Sequence, residues 1–322
     1  MQKRIVVLGG SGFIGTHLCL RLLGEGHEVF CVDLREAANS PLLRSVTEHP
    51  AFRYVRHNIV QPFSIRCNEI YNLASPAVLC YKKSLPVETL KVDMLGSINA
   101  LDTARTEHAR VVYASSCDVY GINLRSTYPQ QEVEKCPARI FAEGKRAAEA
   151  LHTAYHKEFG VDTRIARIFN TYGNGADLMD QRVVVKLVVA ALQNRTLQIT
   201  GSGEQLRTFC WIGDVVEGLV RLMNVVPAEH PRTVDLGSNH EISIRELAEQ
   251  IVDLTGSRSR IVHVEARRND VRRRLPDLSA ARRELDWGPS TPLAEGLRRT
   301  ISYVEKELSE KAYAGMTWAE LN

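Results

Sequence analysis

No stretch of this chain approaches the ~18 consecutive apolar residues that a membrane span needs. The first apolar run, Ile5-Val6-Val7-Leu8, breaks at once into glycines and is also too short for the core of a signal peptide. Charge of one sign is equally scarce. Forty-one Lys and Arg stand against 38 Asp and Glu, a net +3 over 322 residues. A dedicated nucleic-acid or membrane-surface binder would carry a much larger basic excess. The seven cysteines (Cys19, Cys31, Cys67, Cys80, Cys117, Cys136 and Cys210) are odd in number and contain no C-x-x-C pair. That argues against a disulfide framework or a zinc site and for a reducing, cytoplasmic setting. Low-complexity tracts and fixed-period repeats are absent too. What remains is a globular chain, 44% hydrophobic, long enough to bury its own core as one large domain or two modest ones.

The first two-thirds alternate short apolar runs with longer amphipathic segments. Strands are expected at Arg4–Leu8, Glu28–Val32, Phe52–Arg56, Glu69–Leu73, Arg110–Ala114 and Thr163–Ile168. Helices are expected at Gly12–Glu25, Val87–Thr106 and Phe141–Phe159. This alternation predicts an α/β fold with a doubly wound parallel sheet. Beyond Tyr172 the pattern loosens. Helices at Arg182–Gln193, Ser243–Thr255 and Leu293–Lys306 separated by Pro- and Gly-rich turns predict a smaller mixed α/β lobe. The boundary is placed between a first domain, 1–172, and a second, 173–322, with some chain crossing back. Ligands of such sheets bind beyond the carboxyl ends of the strands.

Gly9-Gly10-Ser11-Gly12-Phe13-Ile14-Gly15 follows the first strand and opens the first helix. Its glycines permit a tight turn and close approach of backbone to a pyrophosphate, with free N–H groups of the helix start pointing at it. Asp33, 18 residues after Gly15, ends the second strand. A carboxylate there accepts hydrogen bonds from the adenosine ribose and repels a 2′-phosphate, which selects NAD over NADP. The G-x-x-G-x-x-G spacing resembles that of the extended short-chain dehydrogenase/reductase family acting on nucleotide sugars, a family with a Rossmann-type sheet. The resemblance places Asn58-Ile59 at the adenine, where the family has Asp in place of Asn58. It also places Leu73, in Tyr71-Asn72-Leu73-Ala74-Ser75, beneath the nicotinamide ribose.

Tyr113-Ala114-Ser115-Ser116-Cys117-Asp118 ends a strand, and Phe141-Ala142-Glu143-Gly144-Lys145 opens a helix. The resemblance implies that Ser116 holds the sugar 4-hydroxyl. Cys117 stands where 4,6-dehydratases have Asp, UDP-glucuronate decarboxylases Ser and UDP-apiose/xylose synthases Cys; Asp118 stands for a Glu. The family's Tyr-x-x-x-Lys pairs a phenol with a lysine four residues on, one helix face apart. The cation lowers the phenol pKa so that it accepts the 4-hydroxyl proton. This chain keeps Lys145 and has Phe141 in place of the tyrosine. Three readings stand at this point: a substitution made to trap bound substrate, replacement of the base by Asp118, Cys117 or Tyr120, or a chain that binds without turnover.

Further segments, including Arg167-Ile168-Phe169-Asn170-Thr171-Tyr172-Gly173, Gln181-Arg182-Val183-Val184 and Arg274-Leu275-Pro276-Asp277, resemble the UDP-glucuronic acid decarboxylase branch over roughly residues 4–306. The match implies that Asn170, Arg182 and Arg207 hold UDP and that Arg274 contacts substrate phosphate or carboxylate, a task suited to a planar guanidinium. Tyr81 and Lys82 lie in a stretch that departs from the branch near the sugar carboxylate. Asp93, where an Asn is usual, is also expected beside the hexose. The implied reaction oxidises the sugar transiently at its 4-position with NAD and loses carbon dioxide. A 4-epimerase, a dehydratase, an apiose-type synthase and a non-catalytic sugar-nucleotide binder are the alternatives. The family also implies a homodimer built on the helices Val87–Thr106 and Phe141–Phe159, with neither nucleic acid nor membrane as partner.

Overall fold

The computed structural model describes residues 1–76, 85–121, 137–226, 230–265 and 273–313. Seven strands form the central sheet: β1 (Arg4–Leu8), β2 (Glu28–Asp33), β3 (Phe52–Arg56), β4 (Glu69–Asn72), β5 (Arg110–Ser116), β6 (Thr163–Ile168) and β11 (Arg232–Leu236). Their order is β11-β6-β5-β4-β1-β2-β3, and each neighbouring pair is parallel. The order reverses at β1, which lies between β2 and β4. This is the doubly wound arrangement read from the sequence.

The sequence explains why β1 sits at the centre. Ile5 and Val7 enter the core on one face of the sheet, Val6 and Leu8 the core on the other, so all four residues are buried. A strand covered on both faces reads as a continuous apolar run. On the Ile5 face pack α1 (Phe13–Gly24) and α5 (Ile212–Asn224); on the Val6 face packs α2 (Pro86–Glu107), through Ala100, Leu101 and Ala104. Beside α2 lies α3 (Pro137–Phe159). None of the described helices is long and apolar enough to cross a membrane.

The chain beyond 172 divides its residues. Helices α4 (Val183–Leu192), α6 (Ile244–Thr255) and α8 (Leu293–Tyr313) pack together beside three small strand pairs. In these, β7 (Thr171–Tyr172) joins β10 (Cys210–Trp211), β8 (Leu197–Thr200) joins β13 (Ile261–Val264), and β9 (Leu206–Thr208) joins β12 (Glu241–Ser243). Between them α5 and β11 return to the central sheet, and α7 (Ser279–Leu285) packs against β11. Helix α5 and strand β11 were not expected from the sequence. Helix α5 carries Gly213 and Gly218, which lower helix propensity. Gly218 is needed because a Cβ there would stand 2.7 Å from Leu236 and 3.1 Å from Trp287.

Between β5 and α3 lies a buried polar layer. His152 is fully buried and stacks on Tyr113, ring centroids 4.7 Å apart. Burial, and secondarily the charge of Lys145, lowers its pKa to about 3. Its pKa in the folded chain therefore lies below that in the unfolded chain, near 6.5. From pH 6.5 down to 3 the unfolded state binds a proton that the folded state refuses, so stability falls as pH falls through this window. Between pH 7 and pH 5 this group alone should remove about 2 kcal/mol. Urea unfolding at the two pH values, compared with His152→Phe, should show a correspondingly smaller acid loss in the variant.

Candidate active site

Parallel pairing brings the carboxyl ends of β1, β2, β4, β5, β6 and β11 to one edge, and the candidate residues collect there. After β1 the chain turns at Gly9, whose φ of +77° is left-handed and whose N–H donates to Val32 O at 2.8 Å. A Cβ on Gly9 would lie 2.8 Å from Ala74 Cα, and one on Gly15 would overlap the Gly9 carbonyl oxygen. The loop, the start of α1 and the end of β4 are thus packed at backbone contact. Gly12 caps α1 with no side-chain hydrogen bond, leaving the helix start for a ligand. Phe13 and Ile14, partly buried, pack against the core at that start.

Asp33 closes β2 with its carboxylate fixed by Ser11 N at Oδ2 and Arg35 N at Oδ1, both 3.0 Å. Burial raises its pKa against these hydrogen bonds. Asn58 follows β3; its Oδ1 accepts from Val60 N at 3.1 Å. Ile59 is buried with its side chain against Gly96 of α2, and its carbonyl accepts from Asn99 Nδ2 at 2.8 Å. Leu73 N donates to Leu8 O at 3.0 Å, which sets Leu73 beside the glycine loop. The residues present fit a dinucleotide: a glycine cradle that a Cβ would fill, an uncapped helix start and a fixed carboxylate at the neighbouring strand end.

Strand β5 ends at Ser116 and runs into a single 3₁₀ turn, Cys117–Tyr120. Ser116 Oγ donates to Asp118 Oδ2 at 3.1 Å and accepts from Asp118 N at 3.2 Å. Arg274 Nη1 sits 2.7 Å from Asp118 Oδ1 and donates to Cys117 Sγ at 3.5 Å. Burial, then the Asp118 charge, pushes the Cys117 thiol up to about 11. Its thiolate fraction at pH 7 is then only about 1 in 10⁴. The Tyr120 hydroxyl donates to Asp235 Oδ1 at 2.7 Å and accepts from Arg167 Nη1 at 3.1 Å. Burial raises the Tyr120 pKa, so it stays a neutral donor. Of the three groups considered as replacement base, Asp118 is the one that accepts a hydrogen bond from Ser116.

On α3, Lys145 is buried. Its Nζ donates to Ala114 O at 3.0 Å, lies 3.1 Å from Asp93 Oδ1, and stands 4.9 Å and 5.5 Å from the ring centres of Tyr113 and Phe141. Asp93 was expected beside the hexose. In the structure it is 1% exposed and lies behind Lys145.

Asn170 Nδ2 donates to Thr208 O at 3.1 Å, linking β7 to β9. Arg207 Nη1 donates to Leu206 O at 2.7 Å. Arg182, at the start of α4, donates from Nε to Asp180 Oδ2 at 2.6 Å and lies over the Phe13 ring at 5.4 Å. Tyr81 and Lys82 lie outside the described residues. Sequence reasoning missed Asp235, Arg167 and Glu149. Arg167 pairs with Glu149 at 2.7 Å, and Asp235 accepts from both Tyr120 and Asp277 N, tying the Arg274 segment to the end of β11. Nothing in its local sequence, Arg232-Thr233-Val234-Asp235-Leu236, signalled Asp235.

The close packing makes a specific demand. Gly15→Ala should weaken NAD binding by about tenfold or more, measured by calorimetric titration. Gly24→Ala, where nothing stands within 4 Å of an added Cβ, should leave it unchanged.

Comparison with known proteins gives this geometry a family. The model of the NAD dependent epimerase/dehydratase family matches residues 5–237. UDP-glucuronic acid decarboxylase 1 of Danio rerio is 39% identical over 317 residues, 97% of this chain and 75% of the relative. UDP-glucuronic acid decarboxylase 6 of Arabidopsis thaliana is 37% identical over 307 residues, 92% of this chain and 87% of the relative. Among solved structures, a tyrosine-to-phenylalanine variant of UDP-glucuronic acid 4-epimerase from Bacillus cereus, bound to UDP-4-deoxy-4-fluoro-glucuronic acid and NAD, shares the fold. Its TM-score is 0.83 at 22% identity, covering 94% of this chain and 99% of that one. With the glycine cradle, the parallel sheet and matches of this breadth, the chain belongs to the NAD dependent epimerase/dehydratase family.

Proposed function

We propose that this chain converts a UDP-sugar by transient oxidation at the sugar 4-position, and that the substrate is UDP-glucuronate, which it decarboxylates. The identity to UDP-glucuronic acid decarboxylases along nearly the whole chain carries this reading. When bound, NAD supplies the hydride acceptor and, at the end of the cycle, the hydride donor. Gly9, Gly12, Phe13, Ile14, Gly15, Asp33, Asn58, Ile59, Leu73 and Lys145 form its site. The nucleotide lies toward 173–322, with Asn170, Arg182 and Arg207 holding UDP and Tyr81 and Lys82 near the sugar.

The chain's own groups handle the protons. A 4-hydroxyl hydrogen-bonded to Ser116 gives its proton to Oγ as the Ser116 proton moves to Asp118 Oδ2, 3.1 Å away. Arg274, 2.7 Å from the other carboxylate oxygen, orients Asp118. The resulting ketone is β to the 6-carboxylate, so loss of carbon dioxide leaves a stabilised enolate. Cys117 or Asp118 returns a proton at the 5-position. Phe141 contributes a ring against Lys145 and no titratable group. We further infer a cytoplasmic homodimer through α2 and α3, supported by the exposure of Val87, Met94 and Leu95 on α2.

Incubation with NAD and UDP-glucuronate, followed by mass spectrometry, should show a product lighter by one carbon dioxide. An isomer of unchanged mass would mean epimerisation, and unchanged substrate would mean binding alone. Asp118→Asn should lower kcat by about 10²- to 10⁴-fold, whereas Tyr120→Phe should change it by less than about tenfold.

A further inference from the structure

Lys145 and Asp93 are a buried ion pair that the proposed chemistry does not require. Asp93 comes from α2 and Lys145 from α3, and their side chains are 0% and 4% exposed. Asp93 Oδ1 lies 3.1 Å from Nζ, off the angle of a hydrogen bond, and neither carboxylate oxygen has a hydrogen-bond donor among the described residues. A buried carboxylate without donors is costly unless a counter-charge lies beside it. The packing makes room for this one. Gly144 precedes Lys145 on α3, and a Cβ there would stand 2.9 Å from Asp93 Oδ2.

Among the described residues, the surroundings leave the pair alone with its charges. From β5, Tyr113 has its pKa raised well above the ordinary tyrosine value, chiefly by burial, and is neutral. From α3, His152 has its pKa lowered to about 3 and is neutral. Glu149, one turn beyond Lys145, is taken up by Arg167 and Ser115. At the end of β5, Asp118 is paired with Arg274. Phe141, on the same face of α3 as Lys145, offers only its ring, 5.5 Å from Nζ.

We propose that Asp93 is the positioning residue of Lys145: it is the lysine's counter-ion, in the role that a phenolate at position 141 would otherwise fill. An unpaired ammonium would favour the ionised form of a phenol placed at 141. With a carboxylate 3.1 Å from the ammonium, that phenol would face a dipole, whose field falls off faster than that of a charge. Phe141 and Asp93 are then two parts of one arrangement around Lys145. Lys145 is a fixed cation pinned to Ala114 O, and restoring tyrosine alone does not restore a low-pKa phenol. The proposal concerns the pair itself and does not depend on which sugar is the substrate.

The test is spectrophotometric. The ultraviolet phenolate signal of Phe141→Tyr, as a difference from the parent protein across pH, isolates the introduced phenol. It should ionise near the ordinary tyrosine value of about 10, and in Asp93→Asn/Phe141→Tyr at least about one pH unit lower. Low ionisation in the single variant, or no further fall in the double, would overturn the proposal. A second measurement covers a double variant that fails to fold. Lys145→Met should lower the urea midpoint by stranding Asp93, and Asp93→Asn on that background should restore part of the loss. Absence of any rescue overturns the pairing. Neither readout requires turnover, so failure here is distinguishable from failure of the decarboxylase reading.

Discussion

Because every pairing in the central sheet is parallel, each strand releases its chain at the same edge. Gly9, Asp33, Leu73, Ser116 and Asp235 come from segments far apart in sequence and meet there for that reason alone. The reversal at β1 opens the crevice between the chain leaving β1 and the chain leaving β4. The backbone contact of Gly9 with Ala74 closes the floor of that crevice. The remaining chemistry is attached to this frame: the Ser116–Asp118–Arg274 cluster at the end of β5 and the Lys145 site on the helix packed behind it.

Much of the frame was legible because local patterns and the global fold agree. The six strands of the first two-thirds lie where the apolar runs place them, within one or two residues, and helix α1 begins where the glycines allow. Helix α5 was not legible, because its glycines serve contacts, Gly213 with Trp211 and Gly218 with Leu236 and Trp287, and the last two lie in parts of the chain that a linear reading does not bring together. Strand β11 is five residues long and pairs with β6 from a stretch otherwise given over to the smaller lobe. The site divides similarly. Glycines, strand-end carboxylates and a serine announce themselves by spacing. Tyr120 and Asp235 are 115 positions apart, and only the fold brings them to hydrogen-bonding distance.

Phe141 changes in meaning once the structure is added. In the sequence it marks a missing group. In the structure the nearby proton acceptors sort themselves by environment: the Cys117 thiol is buried and pushed up to about 11, and the Tyr120 hydroxyl is engaged with Asp235. Asp118 accepts from Ser116 and is oriented by Arg274. Differential environment of neighbouring titratable groups is the usual way a fold assigns acid and base roles. In the proposed reaction it favours Asp118 among residues that spacing could not rank.

Arg182 over the Phe13 ring has a consequence of its own. Phe13 opens the helix that borders the dinucleotide loop, and Arg182 opens the helix that leads the smaller lobe. The Phe13 ring therefore joins the start of α1 to the start of α4. Moving Arg182 off that ring would uncover Phe13 at the start of α1. By thermodynamic linkage, any influence that one of these helix starts has on binding at the other must run equally in the reverse direction.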